Sequence, residues 1–390
     1  MLRKFTATVS LALGLSAGLS GAAQAQDTVK IGVILPYSGQ FADAGAMMQA
    51  GIDLFLQEHG DTVAGKKIEI IKKDVGGIAP DVAKRLAQEL VVRDKVDILA
   101  GFALTPNAFA AGDVSKQAEK FMVVMNAATS AIVNSSPYLT RTSMTTPQIN
   151  SALGKWVYDS GVREVYTIAT DYGPGHDAQN AFETSFKSAG GKIIGSDRTP
   201  VVNPDFSAYV QRVKDAEPEA VYVWVPGGVQ PAAVGKALAE RGLTPANTPI
   251  FGTGELTTEE SLAAMGDLAE GIVTGMNYTM ESDDPVNAAF VKAFRAANGD
   301  RNPNFFSVGG YDGMALIYKV LDATGGKTDG ADMIAAAKGM EWQSPRGPIS
   351  IDPETRDIVQ TVYIRKAEKV DGVMENVNID TVENAKDPRY

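Results

Sequence analysis

From residue 29 onward, short β-branched runs alternate with longer amphipathic stretches, and few other features constrain a chain so tightly. Strands are expected over 29–35, 68–71, 96–100, 121–125, 164–169, 192–196 and 220–225, and helices over 46–57, 80–93, 107–119, 150–159, 178–188, 206–215 and 231–241. Such βαβα alternation gives mostly parallel sheets covered by helices on both faces. The final third is less regular, with helices over 285–297, 305–323 and 333–338 and a strand over 359–365. In open α/β sheets ligands bind beyond the carboxyl ends of the strands, so the strand-exit loops are where function is to be read.

The first 25 residues have another character. Arg3 and Lys4 precede an apolar run over 5–19, then small residues end in Ala23-Gln24-Ala25. That order reads as a cleaved secretory signal peptide. The apolar run is shorter than the ~20 residues that span a bilayer. Cleavage after Ala25 leaves 365 of the 390 residues and moves the formal charge from −11 to −13 by removing two cations. At roughly 150 residues per domain, that length suggests two domains. The acidic balance disfavours nucleic acid and anionic membrane as partners. With no cysteine, a lipid-bearing Cys at the cleavage site, disulfides and thiol chemistry are all excluded.

Several chemistries lack their residues. There are two histidines, His59 near a helix end and His176 in a Gly-rich strand-exit loop, and no H-x-x-x-H pair, which argues against zinc. Neither is accompanied by a Gly-x-Ser-x-Gly elbow. The stretch 324–328 resembles the end of a phosphate-binding loop, but Leu321 stands where its first glycine belongs. Pro36-Tyr37-Ser38-Gly39 follows the first strand in place of G-x-G-x-x-G, so no nucleotide cofactor is expected.

The exit loops instead carry small residues, hydroxyls and aromatics. The loop over 35–45 holds Phe41, that over 101–107 holds Phe102, Leu104 and Thr105, and that over 126–130 holds Ala127 and Thr129. Hydroxyls, free N–H groups and helix N-termini can hold a carboxylate without a formal countercharge. Helix capping by Thr105, Thr129 and Asn107 would use the same residue types. The second half contributes Tyr172 in the loop over 171–176, Gly227 in 224–228 and Glu255 in 252–255.

Pro36-Tyr37-Ser38-Gly39, Asn126-Ala127-Ala128-Thr129, Tyr172-Gly173 and Gly252-Thr253-Gly254-Glu255 together resemble the branched-chain amino-acid binding protein family of ABC importers, in order along nearly the whole mature chain. Thr105-Pro106-Asn107-Ala108, Asp171 to Gly175 and Ser344-Pro345-Arg346-Gly347 look most like a branch that takes aromatic carboxylates. The resemblance implies a type I periplasmic binding protein: two doubly wound parallel-sheet lobes joined by a three-segment hinge. It divides the chain into 27–143 plus 276–355 and 144–275 plus 356–390. It also implies a ligand shell of Leu104, Thr105, Ala127 and Thr129 from one lobe, holding a carboxylate, with Tyr172 covering the ligand from the other. Gly227 falls where amino-acid binders often place an aromatic, and Ala44 replaces a larger residue. Phe41, Phe102 and Phe306 would then fill the enlarged pocket, while Glu255 lies at or beside the acid that pairs with an α-amino group.

The function these residues imply is capture of a small carboxylate solute in the periplasm, a hydroxybenzoate for preference, by a monomer that hands it to an ABC permease and ATPase. No catalysis, metal or cofactor is expected. Three alternatives share the same residues: a branched-chain or other amino-acid binder, a sensor subunit presenting its solute to a receptor, and a hydrolase using His176 with Glu255.

Overall fold

The computed structural model describes Met1 and residues 27–389. The expected signal peptide, Met1 apart, and the expected mature start at Gln26 lie outside the described residues. Among them, no helix is long and apolar enough to cross a membrane.

The chain opens with β1 (Thr28–Leu35), α1 (Ala42–His59), β2 (Thr62–Val63), β3 (Lys66–Asp74), α2 (Pro80–Glu89), β4 (Ile98–Gly101), α3 (Thr105–Ala118), β5 (Phe121–Val124) and β6 (Leu139–Arg141). These strands form one sheet, ordered β2-β3-β1-β4-β5-β6 and parallel apart from the short β2–β3 pair. Strands buried on both faces carry continuous apolar runs, such as Phe121-Met122-Val123-Val124. One face packs on Ile52 and Phe55 of α1, the other on Leu86 of α2 and Val114 of α3.

The chain then leaves this sheet through α4 (Thr146–Asp159) for β7 (Glu164–Thr170), α5 (Gly173–Ala189), β8 (Lys192–Thr199), α6 (Ser207–Asp215), β9 (Ala220–Trp224), α7 (Gln230–Glu240), β10 (Ile250–Thr253), α8 (Glu259–Met265) and β11 (Val273–Met276). It returns to the first sheet with α9 (Pro285–Ala297), α10 (Phe305–Ala323) and α11 (Gly330–Ala337), whose Met314, Leu316 and Met333 enter the first core. β12 (Glu341–Ser344) and β13 (Gly347–Ile351) lead to β14 (Ile358–Val370) and β15 (Val373–Ala385).

The second sheet runs β12-β13-β14-β11-β10-β9-β7-β8, with β15 beside β14. It is mixed rather than wholly parallel: β7 to β11 pair in parallel, whereas β12 to β15 join as antiparallel neighbours. Parallel neighbours need a crossover of a dozen or more residues; the short links at 345–346, 352–357 and 371–372 permit only antiparallel pairing. β12 and β13 hydrogen-bond toward the second sheet while Trp342, Ile349 and Ile351 are buried in the first core. The chain thus crosses between lobes three times, at 141–146, 276–285 and 351–358.

Two buried arginines hold these crossings. Arg346 Nη1 donates to the Ser143 carbonyl at 2.9 Å, Nη2 donates to that of Thr142, and Nε donates to Asp312 at 2.8 Å. Arg141 Nε donates to Asp357 at 2.9 Å, joining the first crossing to the third.

Candidate functional site

The exit loops of both sheets converge on a cavity of about 230 Å³ between the lobes. On the first lobe, Gly101 at φ 104° and Phe102 at φ 65° turn the chain sharply after β4. A Cβ on Gly101 would lie 2.7 Å from the Ile34 carbonyl oxygen, so only glycine fits that approach. The turn brings Ala103, Leu104 and Thr105 to the cavity wall, where the first N–H groups of α3 have no intrahelical acceptor. Asn126 Nδ2 donates to the Ala103 carbonyl at 2.8 Å, fastening the β5 loop to the β4 loop. Thr105 Oγ1 donates to Thr129 Oγ1 at 3.3 Å.

Neither threonine caps a helix: Leu104 and Thr129 hold the N-cap positions of α3 and the following 3-10 turn without side-chain bonds. Asn107 instead braces the loop over 77–79, donating to the Gly77 carbonyl at 2.8 Å and accepting from the Ala79 N–H at 2.9 Å.

From the second lobe come Tyr172, Trp224, Gly227 and Glu255. The rings of Tyr172 and Trp224 lie 5.7 Å apart at 49°, giving an aromatic wall. A Cβ on Gly227 would meet nothing within 4 Å, so space is open at that position. The lobes approach closely, since a Cβ on Gly173 would come within 3.2 Å of Thr129 Oγ1.

Glu255 is buried, and its Oε2 has no protein partner. Burial pushes its carboxyl above the usual range, partly offset by the Thr253 hydroxyl and the Arg365 cation. Glu259 is open to the cleft but deep in the molecule, and desolvation raises it too. Burial lowers Arg365 to about 10, opposed by Glu259 and Glu255. Burial beside Glu255 also holds the Tyr172 phenol well above its ordinary value, so it stays protonated.

Of the residues expected at the site, Phe41, Leu104, Thr105, Tyr172, Gly227, Glu255 and Phe306 line the cavity. Phe102 and Ala127 do not: both are buried between the first sheet and α2 and α3. The turn that sets Ala103 at the cavity wall directs the Phe102 ring backward, and the neighbouring Ala128 lines the cavity where Ala127 does not. Thr129 sits one hydrogen bond behind Thr105. His176 is outside the cavity, 2.6 Å from Asp171 Oδ1, so no His176–Glu255 pair is assembled.

Residues the sequence did not single out include Trp224, which ends β9 where the strand-exit rule points, and Arg301, Asn302 and Asn304. The last three lie between two helices, where no strand flags them. Asn304 caps α10 and thereby sets Phe306 at the wall, while Arg301 pairs with Asp43 at the cavity.

A family model described as periplasmic binding protein matches residues 28–372. A Brucella melitensis protein named Leu/Ile/Val-binding protein homolog 6 is 45% identical over 374 residues, covering 95% of each chain. A solute-binding protein of an ABC transporter from Rhodopseudomonas palustris BisB5, solved with 3,4-dihydroxybenzoic acid, is 47% identical with a TM-score of 0.88, covering 93% of this chain and 99% of that one. One from R. palustris HaA2, solved with p-hydroxybenzoic acid, is 40% identical with a TM-score of 0.89 and the same coverage. With two mixed α/β lobes, three crossings and a cleft at the strand exits, this chain belongs to the periplasmic binding protein family, a family of solute binders rather than enzymes.

Proposed function

We propose that this protein is the solute-binding component of an ABC importer and that it captures a hydroxylated aromatic carboxylate in the periplasm. The observation that carries this reading is the polarity of the cavity. One wall offers Thr105 and the N-terminus of α3, without an ionisable side chain in the β4 and β5 loops. The other offers the Tyr172 and Trp224 rings and Glu255 with a free oxygen.

A carboxylate suits the first wall, where helix N-terminal N–H groups favour an anion. A flat ring suits the aromatic wall. A phenol hydroxyl on that ring donates to Glu255, which keeps the ligand's charge away from that acid, while Arg301 pairs with Asp43 at the cavity. Two relatives of 40% identity or more were solved with hydroxylated benzoic acids. In this reading the lobes divide as 27–143 with 276–355 and 144–275 with 356–390, and ligand contacts from both favour the closed form. A monomer delivering its solute to a permease and ATPase accounts for such a clamp.

A second reading is an amino-acid binder, favoured by Glu255 and Glu259 as partners for an ammonium group and by the Leu/Ile/Val-binding name of the 45%-identical relative. Calorimetric titration of 4-hydroxybenzoate, benzoate and leucine separates the two. We expect 4-hydroxybenzoate to bind tightest, with benzoate weaker by about 1.5–3 kcal/mol for the lost hydrogen bond to a charged group. Leucine binding tightest would overturn the aromatic reading.

A further inference from the structure

Arg141 ends β6, is completely buried, and is not part of the cavity wall. Its guanidinium nevertheless gathers the loop that supplies that wall. Nη1 donates to the carbonyls of Ala127 at 2.9 Å and Met144 at 3.3 Å, and Nη2 to those of Thr129 at 3.0 Å and Ser130 at 3.4 Å. In a trans peptide the C=O and N–H point in opposite directions. Turning the Ala127 and Thr129 carbonyls onto Arg141 therefore turns the Ala128 and Ser130 N–H groups away from it. Ala128 lines the cavity, and the Ser130 N–H reaches Asp177 Oδ2 of the second lobe at 3.2 Å.

A planar fork of five donors can hold several carbonyls at once, whereas an ammonium cannot fix them in one plane. The facing charges are Asp357, which also accepts from Arg389 at 2.8 Å, Asp387, bonded to the Ser130 hydroxyl, and Asp177, which accepts from the Ser130 N–H at 3.2 Å and feels the Arg141 cation. Three carboxylates thus face the Arg141 and Arg389 guanidinium groups, so what Arg141 supplies to the loop is the placement of its donors rather than an excess of positive charge.

We propose that Arg141 is a positioning residue that makes the cleft select a carboxylate: it sets the Ala127–Thr129 loop so that the Ala128 N–H faces the ligand's anionic end. This rests on the carboxylate part of the proposed function and not on its aromatic part. A carboxamide of the same shape presents donors where the first wall also presents donors, so the acid-to-amide ratio reads that wall, and its change on altering Arg141 reads the part that Arg141 sets.

The test is calorimetry with two pairs, 4-hydroxybenzoate against 4-hydroxybenzamide and leucine against leucinamide, on wild type, Arg141→Lys and Arg141→Met. Wild type is expected to prefer the acid of its pair by about tenfold or more, as for a hydrogen bond to a charged group. In Arg141→Lys, which keeps the charge but not the fork, that ratio should fall by about fivefold, and in Arg141→Met by at least as much, with Thr105 and the N-terminus of α3 keeping the remainder. A merely structural role would weaken acid and amide alike; that result, or an unchanged ratio in the variants, overturns the proposal. If the methionine variant does not fold, the lysine variant decides. Binding of the leucine pair alone would sink the aromatic reading and leave Arg141 judged on leucine, whereas binding of neither acid would remove both.

Discussion

The two walls of the cleft differ in what they present to it. The wall made by the loops after β4 and β5 presents Ala103, Leu104, Thr105, Asn126 and Ala128, without an ionisable side chain, and its polarity comes largely from main-chain groups whose orientation is fixed from behind. The wall made by the second sheet presents Tyr172, Trp224, Glu255 and Glu259, and its properties lie in the side chains themselves. A wall of backbone donors fixes the class of group it accepts and tolerates side-chain drift. A wall of side chains can be retuned one residue at a time.

The most forceful way to break this comparison is to disturb the hinge that carries one wall against the other. Asp312 is buried between Arg346, Ser344 and Trp342, and its loss strands the Arg346 cation. Removing one partner of a buried pair costs about 3–5 kcal/mol, so Asp312→Ala should lose that much stability in denaturant unfolding. A change below about 1 kcal/mol would mean the pair is dispensable to the hinge.

Next in size, Thr105→Val removes the one hydroxyl of the first wall that lines the cavity, and should weaken carboxylate binding by about 1.5–3 kcal/mol in calorimetry. Unchanged affinity would leave the first wall to the backbone alone. On the second wall, Tyr172→Leu keeps bulk but loses the ring facing Trp224, and should cost about 0.5–1.5 kcal/mol for an aromatic ligand and little for leucine. Equal losses for both ligands would show that the wall is not selective for flat rings.

The smallest expected effect concerns pH. The Glu255 carboxyl is raised in the folded protein, so the native state holds a proton to higher pH than the unfolded chain does. Its contribution to stability is present below the ordinary carboxylate range and is lost as pH rises through the raised value. Glu255→Gln should therefore raise the melting temperature at neutral pH and change it little near pH 4. A larger gain at pH 4 than at neutral pH would contradict the assignment.

The alternation of β-branched and amphipathic segments determined the α/β class by itself, because periodicity is local: α9 and α10 begin and end at the residues their patterns marked, and β1 within one residue. The strand-exit rule also reached Thr105, Tyr172 and Glu255, since a loop's place in a parallel sheet follows from its order in the chain. β6 has three residues and β15 a polar, half-exposed run, too short or too irregular for a period to show. Only tertiary structure decided that Phe102 turns into the core while Leu104 faces the cleft, because that depends on a single positive-φ turn packed against Ile34. It also decided the antiparallel entry of β14, the arrival of Arg301 from a helix–helix loop and the burial of Arg141 behind the binding loop. Arg301 meets Asp43 across 258 positions and Arg141 meets Asp357 across 216, and no local pattern in the sequence encodes which distant carboxylate a guanidinium will meet.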